Sequence, residues 1–146
     1  MTDTTIDDLT LTLQRHIAAP PAKVYAAWLD PKTLMRFMAN CKGMKLAYAE
    51  TDPRVGGTFR IDLDNEGHVV QHTGTYLALK PHSEIAFTWV SPYCTAENST
   101  VRLDFVPDGE GTRITLTHSR FIDENHRDMH VGGWATMLDG LVATQL

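Results

Sequence analysis

HRDMHVGGWATMLDGLVATQL, residues 126–146, is the stretch that decides the fold. His130, Trp134, Met137, Leu138 and Leu141 recur in it at spacings of three and four, the period of one face of an α-helix. A helix from His126 to Gln145 would be roughly 30 Å long at about 1.5 Å per residue, enough to cross a small domain. Its apolar face needs a cover. Most of what precedes it alternates with period two, so the expected arrangement is a sheet wrapped around this helix, with any ligand site between the two.

Working outward, Leu9, Leu11 and Leu13 alternate with Thr10, Thr12 and Gln14 and lead to Ile17, the signature of a first strand. Ala19-Pro20-Pro21 stops it, and Pro21 to Leu29 carries Val24, Tyr25, Trp28 and Leu29 at helical spacing. Asp30 caps a second short helix whose apolar face is Leu34, Met35, Phe37 and Met38. Strands are expected over Met44–Ala49, Thr58–Asp64, His68–Leu79, Glu84–Val90, Ser99–Val106 and Thr112–Arg120, joined by turns such as Asp64-Asn65-Glu66-Gly67 and Pro107-Asp108-Gly109-Glu110-Gly111. The adjacent Gly56 and Gly57 suggest positive φ angles in the turn that begins at Thr51. Short turns between successive strands imply an antiparallel meander, hence an α+β domain over residues 1–146.

A chain of 146 residues with 42% hydrophobic content can bury a core without staples. A net charge of −5 with scattered basic residues argues against a nucleic-acid surface. No window approaches the ~18 apolar residues of a membrane span. MTDTTIDDLTLTLQRH has no apolar run or basic leader, and Cys41 and Cys94 stand far apart, so a cytoplasmic, reduced protein is expected. The Asp7-Asp8 pair is expected to be solvated.

The order of elements and several local motifs resemble the helix-grip fold of the START-like (SRPBCC) superfamily, in the branch named for the activator of Hsp90 ATPase. The resemblance rests on Ala19-Pro20-Pro21-Ala22-Lys23-Val24-Tyr25-Ala26-Ala27-Trp28, on Asp52-Pro53-Arg54-Val55-Gly56-Gly57-Thr58-Phe59, and on Gly74-Thr75-Tyr76 before Pro81. It continues through Gly111-Thr112, Leu116-Thr117-His118 and His130-Val131-Gly132-Gly133-Trp134. It implies a curved antiparallel sheet of about six to seven strands gripping the C-terminal helix, two short helices after the first strand, and a hydrophobic cavity. Relatives use that cavity for lipids, plant hormones, or the cyclisation and dehydration of aromatic polyketides.

The residues expected to face such a cavity are Trp28, Phe37, Phe59, Ile61, His72, Tyr76, Phe87, Trp89, His118, Met129, Gly133, Trp134 and Met137. Aromatics supply area and methionines adapt their shape, which suits a pliable apolar site as well as an ordinary core. His118 ends the series Ile114, Leu116, His118 and is a candidate acid or base. His72 and Tyr76 share one strand parity with His68, Val70 and Gly74, and are candidates too if that parity faces inward. His126 and His130 are four apart, but Arg127 stands where a zincin has Glu and no third ligand is evident, so no metal is expected. His130 is expected to hydrogen-bond toward the sheet near Asp52–Arg54. Cys41, beside Lys42, is expected to be structural or exposed. Gly132 and Gly133 each cost a helix roughly 1 kcal/mol relative to alanine, which implies close approach of a strand or room beside Trp134.

The leading functional expectation is a cofactor-free protein that binds a small hydrophobic or aromatic molecule. Its rivals are a polyketide cyclase or dehydratase using His118, His72 or Tyr76, and a co-chaperone-like interaction module. A small sheet with an exposed edge strand also allows a homodimer, though no stretch of the sequence specifies an interface.

Overall fold

The computed structural model describes residues 9–41, 43–94 and 99–146. Asp7-Asp8, Lys42 and the second half of the Ser91–Asn98 loop lie outside them. Seven strands, β1 Leu11–Ile17, β2 Lys45–Thr51, β3 Thr58–Asn65, β4 His68–Lys80, β5 Glu84–Thr88, β6 Thr100–Asp108 and β7 Gly111–Ser119, form one curled sheet. Its order is β1-β7-β6-β5-β4-β3-β2, with every pairing antiparallel. Helices α1, Pro21–Ala27, and α2, Pro31–Met38, follow β1, and α3, Glu124–Val142, fills the concave side. Among the described residues no helix is long and apolar enough to cross a membrane.

Local chemistry sets the boundaries. Proline at the first position starts both α1 and α2, and the Asp30 carboxylate accepts from the Thr33 backbone N–H to cap the second. The Asp123 carboxylate does the same for α3, accepting from the His126 N–H at 2.8 Å. This cap starts α3 two residues before His126. At the far end the Thr144 N–H reaches the Leu141 carbonyl, a tightened last turn that closes the helix before Gln145.

The β3–β4 hairpin turns on Glu66 and Gly67, both at positive φ, and pairs Asn65 with His68. That turn fixes the register of β4, placing Val70, His72, Gly74 and Tyr76 on the buried face. The glycine pair before β3 divides its roles. Gly56 has φ +86°, whereas Gly57 has no positive φ and is glycine because a side chain would run into the Asp52 carbonyl.

The core lies between sheet and α3. Ile85, Val101, Leu103, Phe105, Ile114 and Leu116 face Trp134, Met137, Leu138 and Leu141. Each such side chain contributes roughly 1.5–3 kcal/mol on burial.

Candidate functional site

The first half of α3 stands off the sheet. Met129, His130, Gly133, Trp134 and Met137, on one helical face, border a pocket of about 260 Å³. Opposite them stand Leu63, Asn65, His68, Val70 and His72 of the β3–β4 hairpin, with Met44, Trp89 and Tyr93 at the sides. Among the described residues no Lys, Arg, Asp or Glu lines it. Deeper in, Trp28, Leu34, Met38, Thr51, Phe59, Ile61, Tyr76 and Phe87 surround a space of about 20 Å³, sharing Trp89, Trp134 and Met137 with the outer pocket. That inner space holds one water at most. Two larger depressions of about 480 and 560 Å³ are surface grooves, one among Thr58, Arg60, Thr73, Thr75 and Glu50, the other beside α1. The apolar pocket under α3, with a few polar groups converging on it, has the character of a ligand site.

Trp89 is its floor. The ring lies 4.7 Å from the His72 ring and 4.8 Å from the Trp134 ring, centroid to centroid. The indole N–H groups of Trp28 and Trp89 are buried without a hydrogen-bond partner among the described residues. Trp134 differs: its indole N–H donates to His118 Nδ1 at 3.0 Å.

That bond decides the state of His118. An indole only donates, so Nδ1 is the acceptor and the ring proton sits on Nε2, where it is given to Ser99 Oγ. The Cys94 thiol in turn donates to Ser99 Oγ at 3.2 Å. His118 is fully buried, Phe121 lies 4.0 Å from it ring to ring, and burial, helped by the charge of His130, pushes its pKa down to about 3. Both nitrogens are occupied and the ring borders neither the outer pocket nor the inner space. His118 therefore holds Trp134 from behind and does not border the pocket.

His72 and His130 are placed differently. His72 Nδ1–H donates to the Val70 carbonyl at 3.1 Å, and burial pushes its pKa down to about 4, with the His130 charge adding to the effect and the Val70 and Ile61 carbonyls opposing it. His130 Nδ1–H donates to the His126 carbonyl at 2.7 Å, one turn back in its own helix, and not to the Asp52–Arg54 turn as the sequence had suggested. A partner within the helix is nearer than any in the sheet. Its ring packs on Phe121 and His118, and burial lowers its pKa too. His126 is held by Asp123, so the two histidines do not converge, and among the described residues no group of three His, Cys, Asp or Glu side chains could hold a metal.

Of the other expected residues, Met129, Gly133, Met137 and Trp89 border the outer pocket, and Trp28, Phe59, Ile61, Tyr76 and Phe87 the inner space. Burial raises the Tyr76 phenol well above its ordinary pKa. Phe37 borders neither; it is fully buried against Trp28. Cys41 is buried and its thiol is pushed up to about 11, first by burial and then by Asp139. Met44, Leu63, Asn65, His68, Val70, Tyr93 and His130 were not expected as lining. The shared parity of His68, Val70 and His72, and the place of His130 on the helical stripe with Trp134 and Met137, were the signals for any of them.

A seven-stranded sheet closed over a long C-terminal helix, with an apolar pocket between them, defines the helix-grip class. The family described as activator of Hsp90 ATPase homolog 1-like protein matches residues 18–145, and the chain belongs to it, within the START-like superfamily. No curated protein matches the chain. Among solved structures it is similar to a Chromobacterium violaceum protein at 26% identity, with 92% of this chain and 95% of that one covered and a TM-score of 0.78. An Aeromonas hydrophila protein of the same family shares 20% identity over 91% and 89% of the two chains, TM-score 0.75. An Hsp90 activator from Plasmodium falciparum shares 20% over 91% and 93%, TM-score 0.72. At 20% identity the last two show the fold alone.

Proposed function

We propose that this protein binds a small, neutral, hydrophobic or aromatic molecule in the pocket under the first half of α3. The observation that carries this reading is the lining: aromatic, methionine and aliphatic side chains, a few polar groups and, among the described residues, no Lys, Arg, Asp or Glu. Size narrows the class. At about 260 Å³ the pocket falls just below the ~300–1,000 Å³ of drug-sized ligand sites, which favours one or two rings over a lipid or a multi-ring polyketide. The sealing of His118 weighs against the cyclase alternative only in the form that used His118, and leaves His72 and Tyr76 as its candidates.

Native mass spectrometry of the purified protein tests the reading. The expected result is a retained small molecule, or saturable uptake of one naphthalene-sized compound per chain; a bare chain that takes up neither would overturn it. The family's description, together with the fold shared with the P. falciparum activator, favours a second reading as an Hsp90-directed module acting through the outer surface. Capture of Hsp90 by this chain, undiminished when the pocket is filled, would support that one.

A further inference from the structure

The polar atoms of the pocket specify more than its apolar walls do, and what they specify rests on the ligand-binding reading above. A backbone carbonyl can only accept, so the bonds from His72 Nδ1 to Val70 O and from His130 Nδ1 to His126 O place the ring proton of each imidazole on Nδ1. In a neutral imidazole the other nitrogen then carries a lone pair. Among the described residues no direct side-chain hydrogen bond engages either Nε2, although the Ile61 carbonyl also acts on the His72 ring, and both residues line the pocket. Burial lowers the pKa of both rings, that of His72 to about 4, which favours the neutral form with these lone pairs free. His118 is the contrast, with the opposite tautomer and both nitrogens occupied.

Beside the Asn65 amide, His68 and the Tyr93 hydroxyl, these two acceptors give the pocket a defined selectivity. A carboxylate or phosphate near them would meet two lone pairs and, among the described lining residues, no Lys or Arg. A plain hydrocarbon would fill the volume but leave the buried acceptors unpaired, at a cost of roughly 1–3 kcal/mol for a buried polar group. A hydroxyl or ring N–H would satisfy one of them, while the ligand ring packs against Trp89, Trp134 and the methionines. We propose that the pocket recognises a neutral aromatic molecule bearing a hydrogen-bond donor, a phenolic hydroxyl or a ring N–H, with His72 Nε2 as the first acceptor and His130 Nε2 as the second.

The test uses two compounds of nearly equal shape, 2-naphthol and 2-methylnaphthalene, titrated calorimetrically into the intact chain at neutral pH. The naphthol is expected to bind at least about tenfold more tightly, since sites that hydrogen-bond a hydroxyl reject analogues lacking it. Imidazole ¹⁵N spectra of the wild-type chain supply a readout that needs no variant. The Nε2 resonance of His72 or His130 is expected to move upfield with the naphthol and to stay in place with the hydrocarbon. H72F, which keeps a ring against Trp89 but removes the acceptor, is expected to lose most of the preference. Saturable binding of both compounds at equal strength, or a naphthol preference with both Nε2 resonances unmoved, overturns the donor assignment and leaves the pocket reading standing. Binding of neither overturns both.

Discussion

The two halves of α3 solve opposite problems with the same residue type. In the second half, a Cβ on Gly140 would lie 2.6 Å from Cys41 Sγ and 2.8 Å from the Phe37 carbonyl oxygen, so glycine lets the helix press against the end of α2. In the first half, a Cβ on Gly132 or Gly133 would meet nothing within 4 Å. There the missing side chains leave open space, and at Gly133 that space is the pocket. One half is dry core built on Leu138 and Leu141; the other is a wall held at a distance. The wall is still fixed, because Trp134 is tied through its indole to His118 and on to Ser99. Absence of a side chain thus means contact at one end of a helix and vacancy at the other.

Breaking the tie behind Trp134 should have the largest effect. His118→Leu leaves the Trp134 N–H and Ser99 without their buried partner, and about 2–5 kcal/mol of unfolding free energy should be lost. Urea denaturation measures it, and a loss below ~1 kcal/mol would show that the first half needs no pin. Gly140→Ala comes next. It forces a methyl between α3 and the α2 end and should cost about 1–3 kcal/mol by the same measurement. A neutral or stabilising outcome would remove the contrast between the halves.

The turns and the alternation of β4 were legible in the sequence, because period-two alternation and Glu66-Gly67 are local signals. Parity alone left two registers open, and the hairpin pairing of Asn65 with His68 settles them. The meaning of the glycines was half legible: Gly132-Gly133 pointed either to close approach or to room, and only the packing decides. Gly140 drew no notice, although it sits between Met137 and Leu141 on the buried stripe. The surroundings of His118 were not legible for a physical reason. Its place at the end of an inward series correctly put it inside, but whether a buried imidazole is reactive depends on partners that are remote in sequence, here Ser99 and Trp134. The pocket mouth was illegible for the same cause, since Met44, Asn65 and Tyr93 come from three separate connections.

Acid and alkali should separate the halves. Facing the first half stand His72 of β4 and His118 of β7, neutral when folded, with pKa values lowered from 6.5 to about 4 and about 3. Below pH 6.5 the unfolded chain binds protons that the folded one refuses, so stability falls as pH drops from 6.5 toward 4, by up to about 1.4 kcal/mol per pH unit for each ring. In the second half the Cys41 thiol is raised from 9.0 to about 11, so its contribution is intact below pH 9 and lost as pH rises toward 11. Hydrogen exchange should show α3 opening first near Trp134 in acid and first near Gly140 in alkali. The same order of opening at both extremes would contradict the assignment.

The smallest effect belongs to Gly132→Ala. With open space around it, the exposed methyl should add about 0.5–1 kcal/mol of stability through helix propensity alone, read as a rise in the urea midpoint.

The central claim is that the room beside Gly133 is a binding site. It is tested most directly by titrating 2-naphthol into the wild-type chain and into Gly133→Leu, with circular dichroism to establish that both are folded. The account predicts saturable one-to-one binding to the wild type and at least about tenfold weaker binding to the variant, because the leucine occupies the ligand's volume. Equal affinities in two folded proteins, or no saturable binding to the wild type, would contradict it.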